Sequence, residues 1–219
     1  MKKLTVLLLA LCGVLVLALG GCANGDTFTQ KTYSSGDSVI EKIWVNVEDR
    51  ELEIGASEDN QAYIDYFDGE KEFLDIKLAD KQLTVELKYN KVWTDFIGAK
   101  PAAGFRKIKI RVPDGVIAEL YAKTTNGSIK TEPLSVTEKL SLDADGGNIV
   151  CERLSVGKAV DFKAKNGNIT ASVIGGWDDF SISCKIKKGE CNLPLNKENG
   201  AKALFADCNN GNIDIEFVK

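Results

Sequence analysis

A turn of the form Asn-Gly-x-Ile recurs along the C-terminal half of the chain. It is spelled "TNGSIKT" at 125–131, "DGGNIVC" at 145–151, "KNGNITA" at 165–171 and "NNGNIDI" at 209–215. With a variant copy, "KKGECNL" at 187–193, the glycines fall at 127, 147, 167, 189 and 211, at intervals of 20, 20, 22 and 22. A fixed period in this range marks a repeat architecture in which each unit buries its apolar face against the next.

The flanks show what each unit is made of. Seven residues before each glycine stand Leu120, Leu140, Val160, Ile182 and Leu204, and five before stand Ala122, Leu142, Phe162, Cys184 and Ala206. Two after stand Ile129, Ile149, Ile169, Cys191 and Ile213. Steps of two on both sides of a turn describe strands with one buried face. Two architectures fit. Asn-Gly between alternating strands is a hairpin signal, which allows an up-and-down meander or sandwich. The constant spacing favours coils stacked in register: an all-β, single-domain parallel β-solenoid, right-handed and β-helix-like, with about 20–22 residues per coil. In that reading Gly and Asn stand at a corner that calls for positive φ.

Residues 39–112 continue in strands such as "IWVNVE", "AYIDYF" and "QLTVELKY", closed by "KIKIRVP" at Pro113. Their spacing is less regular, as early coils with longer loops would be. The domain is therefore read as 39–219, most regular in 117–219. The chain stops at Lys219 soon after the fifth turn, so the last coil is expected to carry an open edge.

The N-terminus has another character. "MKK" followed by the apolar run "LTVLLLALCGVLVLALGG" reads as an export signal over 1–21. It ends in Leu19-Gly20-Gly21-Cys22, which resembles a bacterial lipobox. That motif implies cleavage just before Cys22 and a diacylglyceryl group on its sulfur, two or three acyl chains in all, palmitate among them. An uncleaved signal anchor is the other reading. Two or more acyl chains anchor a protein stably to a membrane. Residues 22–38, polar and rich in Gly, Ser and Thr, read as the lipidated Cys and a short tether. The expected address is the extracytoplasmic face of a bacterial cell membrane.

Composition removes several functions. Losing Lys2 and Lys3 with the signal leaves 26 basic residues against 32 acidic ones, about −6, which argues against a nucleic-acid partner. There is no histidine, so Ser-His-Asp and Cys-His catalysis and histidine metal sites are excluded. No metal and no cofactor is expected. Cys151, Cys184, Cys191 and Cys208 all fall on inward rows. They read as reduced core residues, with a bridge among Cys184, Cys191 and Cys208 left open.

On the outward rows, in-register stacking in sequence order would gather Lys163, Lys165, Lys185 and Lys187 into one patch, flanked by Asp143, Asp145 and Asp207. Like charges directly opposite destabilise a sheet. Either an anionic polymer or headgroup compensates, or the face is a solvated one edged with Asp–Lys pairs. A carbohydrate-active β-helix enzyme is the alternative from another class. It would need clustered carboxylates, and only Asp143/Asp145 and Asp178/Asp179 are tight pairs in the repeat region. The segment "YNKVWTDFIGAKPAAGF" (89–105) and Trp177 supply aromatics that are expected to cover the ends of the core.

"KIKIRVPDG" followed by repeated Asn-Gly-x-Ile turns resembles the bacterial β-strand-repeat family labelled "putative adhesin", a domain-of-unknown-function group. The resemblance covers 105–219 closely and 39–104 in pattern. It implies a β-solenoid-like fold on exported or membrane-attached proteins, some linked with envelope-stress operons, and brings no catalytic residues. The expected function is non-catalytic: binding, adhesion or scaffolding in the cell envelope, with an anionic envelope polymer or a membrane protein as partner and the membrane reached through Cys22.

Overall fold

The computed structural model of the chain describes residues 14–23, 26–96 and 100–219; residues 1–13 of the expected signal segment lie outside them. The strands, in chain order, are β1 Val14–Ala23, β2 Asp26–Ser34, β3 Lys42–Val47, β4 Glu51–Ala56, β5 Tyr63–Asp68, β6 Glu72–Ala79 and β7 Gln82–Tyr89. There follow β8 Lys107–Val112, β9 Glu119–Thr124, β10 Ile129–Thr131, β11 Leu134–Val136, β12 Lys139–Ala144 and β13 Ile149–Val156. The last are β14 Ala159–Asn166, β15 Ile169–Ile174, β16 Phe180–Lys188, β17 Asn196–Lys197, β18 Lys202–Asn210 and β19 Ile213–Val218. No helix among the described residues is long and apolar enough to cross a membrane.

Two sheets face each other across one core. The first runs β1-β2-β5-β8-β4-β10-β13-β15-β19, with β11 also on β13; the second runs β17-β16-β18-β14-β12-β9-β3-β7-β6. Each repeat turns its corner at the glycine and gives one strand to each sheet, except the Gly189 copy, which gives β16 to the second sheet and only the isolated bridge Cys191–Ile213 to the first. Strands of successive repeats pair in parallel, with Leu120, Leu140 and Val160 abreast in one sheet and Ile129, Ile149 and Ile169 abreast in the other. Parallel pairing decides for stacked coils against a meander, whose neighbours would be antiparallel. The inward rows are buried as their alternation requires, including Leu142, Phe162, Ile149 and Ile169.

The coils do not stack in sequence order. After β15, β16 is laid one place further out, and the chain returns so that β18 enters between β14 and β16. The corner glycines record the same order. A Cβ on Gly127 would lie 1.8 Å from the Arg50 carbonyl, one on Gly147 2.1 Å from that of Gly127, and one on Gly167 2.1 Å from that of Gly147. The next is Gly211, 2.2 Å from the Gly167 carbonyl, and Gly189 comes last, 2.0 Å from that of Gly211. Of these five, only Gly189 and Gly211 have positive φ (129° and 151°). Close approach of one corner to the next is therefore what all five glycines share, rather than the backbone angle read from the sequence.

The second Asn of the turn forms a ladder beside this spine. The Asn168 N–H donates to Asn148 Oδ1 at 2.8 Å, the Asn212 N–H to Asn168 Oδ1 at 2.8 Å, and the Glu190 N–H to Asn212 Oδ1 at 3.0 Å.

Three expectations need correction. Residues 26–34 are not a tether: β2 pairs antiparallel with β5, and it buries Phe28, which stacks on Phe105 at 5.0 Å. The N-terminal strands are not all coils. β6 and β7 form an antiparallel hairpin through Asp80 and Lys81, both at positive φ, and β5 runs antiparallel to β8, so this end is capped. The C-terminal coil is not left open in the second sheet, because β18 is internal there and the short antiparallel β17 covers β16. In the first sheet, residues 190–192 cover β19 through Ile213 N–H to Glu190 O (2.9 Å) and Ile215 N–H to Asn192 Oδ1 (3.0 Å).

Candidate functional site

The outward face of the second sheet is where the insertion of β18 has its largest effect. One outward row reads Lys185, Asp207, Lys163, Asp143, Lys123, strand by strand. Asp207 thus stands between Lys163 and Lys185, and Asn209 takes the corresponding place between Lys165 and Lys187. The expected four-lysine patch does not assemble. Signs alternate across the face, and Lys123 Nζ reaches Asp143 Oδ2 at 2.9 Å and Asp145 Oδ2 at 3.9 Å. Opposite charges abreast stabilise where like charges would repel.

The neighbouring outward row reads Ser183, Phe205, Asp161, Ser141, Tyr121, Trp44. Tyr121 and Trp44 stack at 5.8 Å with their planes 15° apart. Phe205 is 45% exposed and sits in a shallow depression of about 180 Å³ lined also by Asp161, Lys163, Ser183, Lys185 and Asp207. Three strand spacings, about 14 Å, separate Phe205 from Tyr121. Aromatic faces with carboxylates, ammoniums and a hydroxyl beside them suit an elongated ligand that offers apolar ring faces and hydroxyls. The Tyr121 hydroxyl is held above its ordinary pKa by burial first and by Asp143 second, so it stays a neutral donor. Sequence reasoning missed this row. Trp44, Tyr121 and Phe205 all have outward parity on one row, and the true coil order brings Phe205 one strand nearer to Tyr121 than sequence order would.

The acidic pairs do not form an acid–base couple. Asp143 and Asp145 both turn to Lys123. Asp179 Oδ2 instead accepts the Gly176 N–H at 2.7 Å, capping the 3₁₀ turn at Trp177–Asp179. Among the described residues no three Cys, Asp or Glu side chains gather to hold a metal.

The aromatics of 89–105 divide. Phe105 covers the capped end, against Phe28 and, at 5.4 Å, Phe67. Trp177 does the same at the other end, edge-on to Phe217 at 5.5 Å. Trp93 instead stands 75% exposed. Cys22 belongs to β1, and its side chain lies outside the described residues.

Cys151, Cys184 and Cys208 are buried thiols and Cys191 is half-buried; all four are free. Burial pushes the Cys151 thiol up to about 12 and, with Cys191 beside it, the Cys184 thiol up to about 12. Cys184 Sγ and Cys191 Sγ lie 3.0 Å apart. Because the thiolate is the reactive form, alkylation of the native protein at neutral pH is expected to modify Cys191 and spare Cys151. Oxidised glutathione is expected to give one internal disulfide, Cys184–Cys191, with loss of two hydrogens. Peptide mapping that finds Cys151 alkylated first, or bridged, would contradict this arrangement.

Fold and face together define a capped parallel β-solenoid with a mixed-charge outward face on its second sheet. A family model described as Toastrack DUF4097 matches residues 40–219, and the chain belongs to that family. The resemblance drawn from the repeated turn is borne out. A solved structure described as a putative cell adhesion protein from Clostridium sporogenes ATCC 15579 is similar at a TM-score of 0.63. It is 13% identical, and the match covers 86% of this chain and 99% of that one. A putative adhesin from Bacteroides fragilis NCTC 9343 is 13% identical over 86% of this chain and 97% of its own, at a TM-score of 0.43. No curated protein matches.

Proposed function

We propose that the protein is a lipid-anchored, extracytoplasmic binding module without catalytic activity, adhesin-like or scaffolding in role. Its ligand lies across the outward face of the second sheet. The observation that carries this reading is the row of Phe205, Tyr121 and Trp44 beside alternating lysines and aspartates, which suits a largely uncharged polysaccharide of the envelope better than a polyanion. The adhesion-protein description of the Clostridium structure agrees in kind. Anchoring rests on the lipobox-like "LGGC". Six residue steps separate Cys22 from the buried Phe28, at most about 20 Å of chain, so the capped end of the solenoid would rest near the bilayer.

The test is retention of the full chain, purified in detergent, on insoluble envelope polysaccharide at low and high salt. Retention is expected to resist salt and to fall about tenfold in Trp44→Ala/Phe205→Ala, a loss of about 1.4 kcal/mol. Salt-sensitive retention, lost when Lys163, Lys165, Lys185 and Lys187 become Ala, would replace this reading with an anionic ligand. Release of new reducing ends would overturn the non-catalytic reading. Incorporation of labelled palmitate, abolished by Cys22→Ala, tests the anchor separately.

A further inference from the structure

Cys22 and the exposed Trp93 stand at one corner of the capped end. Cys22 pairs with Thr27 at the N-terminal end of β2, and Thr29 pairs with Asp68 at the end of β5. From Asp68 the chain crosses directly to the second sheet. The Gly69 N–H donates to the Glu72 carbonyl at 2.8 Å, and the Asn90 N–H donates to the Lys71 carbonyl at 2.9 Å. The residues that follow β7 therefore emerge on the same edge of the solenoid as Cys22.

Those residues form a fixed turn. A 3₁₀ turn runs over Trp93–Phe96. The Asp95 N–H donates to the Val92 carbonyl at 2.9 Å, and Asp95 Oδ2 accepts the Val92 N–H at 3.0 Å. Lys71 Nζ donates to the other carboxylate oxygen at 2.6 Å, which ties the turn to the crossing at 69–72. The backbone of Val92 is thus used locally, while the side chains of Val92 and Trp93 project, 62% and 75% exposed. A single exposed apolar side chain is ordinary. Here two adjacent ones are held outward by a capped turn beside the expected lipid.

The charges around the turn are matched: Lys71 with Asp95, Lys91 with Glu72 at 3.2 Å and Lys100 with Asp49 at 2.8 Å. What the corner offers a neighbour is apolar contact rather than one sign of charge. An indole has an apolar body and one N–H donor, and such rings settle at the headgroup level of a bilayer. We propose that Val92 and Trp93 seat in the interfacial layer of the membrane beside the lipid on Cys22. This rests on the lipid anchor proposed above and adds a second, non-covalent contact that fixes the orientation of the domain. The solenoid then stands on its capped end, and the row of Trp44, Tyr121 and Phe205 leads away from the bilayer.

Tryptophan quenching tests the seat. The full chain is reconstituted into phosphatidylcholine vesicles, either plain or carrying bromine near the headgroup end of the acyl chains. The chain has three tryptophans, Trp44, Trp93 and Trp177. Brominated lipid is expected to quench part of their emission. That quenching should be lost in Trp93→Phe and kept in Trp177→Phe, whose ring lies against Phe217 at the opposite end. Trp93→Phe should hold the parent's thermal midpoint, because the side chain is exposed, so the loss is not one of folding. Val92→Asp sets a carboxylate beside the indole and should also reduce the quenching; undiminished quenching there would overturn the seat of Val92. No quenching in the parent chain overturns the proposal. Quenching that persists in Trp93→Phe overturns it too, since another tryptophan would then face the bilayer. Labelled palmitate read in parallel separates the two readings. Palmitate without quenching keeps the anchor and removes the seat, whereas Trp93 quenching without palmitate removes the lipid and keeps the seat.

Discussion

Gly167→Ala is expected to destabilise the protein by about 2–3 kcal/mol, as overpacking against a rigid wall does. The new Cβ would stand 2.1 Å from the Gly147 carbonyl, and the atom it meets is backbone. A flexible side chain could move aside, whereas this carbonyl is held by the corner of the neighbouring coil. The loss is net of the ~0.4–1 kcal/mol that Gly→Ala gains by stiffening the unfolded chain. In a domain of this size it corresponds to roughly 5–10 °C in thermal midpoint. Gly167 is not at positive φ, so backbone strain does not contribute. Gly104 is the control: nothing lies within 4 Å of its Cβ position and its φ is ordinary, so Gly104→Ala should hold or raise the midpoint slightly. Equal midpoints for the two variants would mean that the corners do not touch as described.

Phe162→Ala should cost more, about 3–5 kcal/mol, the usual range for deleting a buried aromatic side chain. Phe162 is fully buried and lies abreast of Leu142 on one side and Ala206 on the other. Stacking in sequence order would have set Cys184 there instead. The large ring therefore has a small neighbour, which suggests a cycle that reports on coil order. Ala206→Phe alone should also destabilise by overpacking. Combined with Phe162→Ala it should recover part of the loss, with a coupling of about 1–2 kcal/mol, because contacting sites are non-additive. Strict additivity in denaturant melts would argue that β14 and β18 are not adjacent.

The local architecture was legible in the sequence because its causes are local. Alternation of Leu140, Leu142 and Ala144 with Ser141 and Asp143 assigns the faces of one strand without knowledge of any other. The 20-residue interval between Gly127, Gly147 and Gly167 then fixes the register of successive strands. Even the ladder of Asn148, Asn168 and Asn212 is implied by a polar residue at a repeated place. The capped N-terminal end was less legible. Phe28 and Tyr33 lie in a segment of Gln, Lys, Thr and Ser whose composition suggests a linker, and it becomes a strand only because β5 offers an edge to pair with.

What the sequence by itself determined is thus the unit: a two-strand coil with a glycine corner, one inward face and a fixed length. What only the tertiary structure decided is the order in which the units stack. Each coil offers the same backbone and nearly the same apolar rows above and below, so no local signal tells β16 to leave a place for β18. The choice is made by side chains that meet only after stacking. Sequence order would set Lys163 against Lys185 and Phe162 against Cys184, whereas the observed order places Asp207 between the two lysines and Ala206 beside the phenylalanine. Charge alternation and volume complementarity between distant segments select the arrangement, and that arrangement separates the two lysine pairs and brings Phe205 one strand nearer to Tyr121 and Trp44.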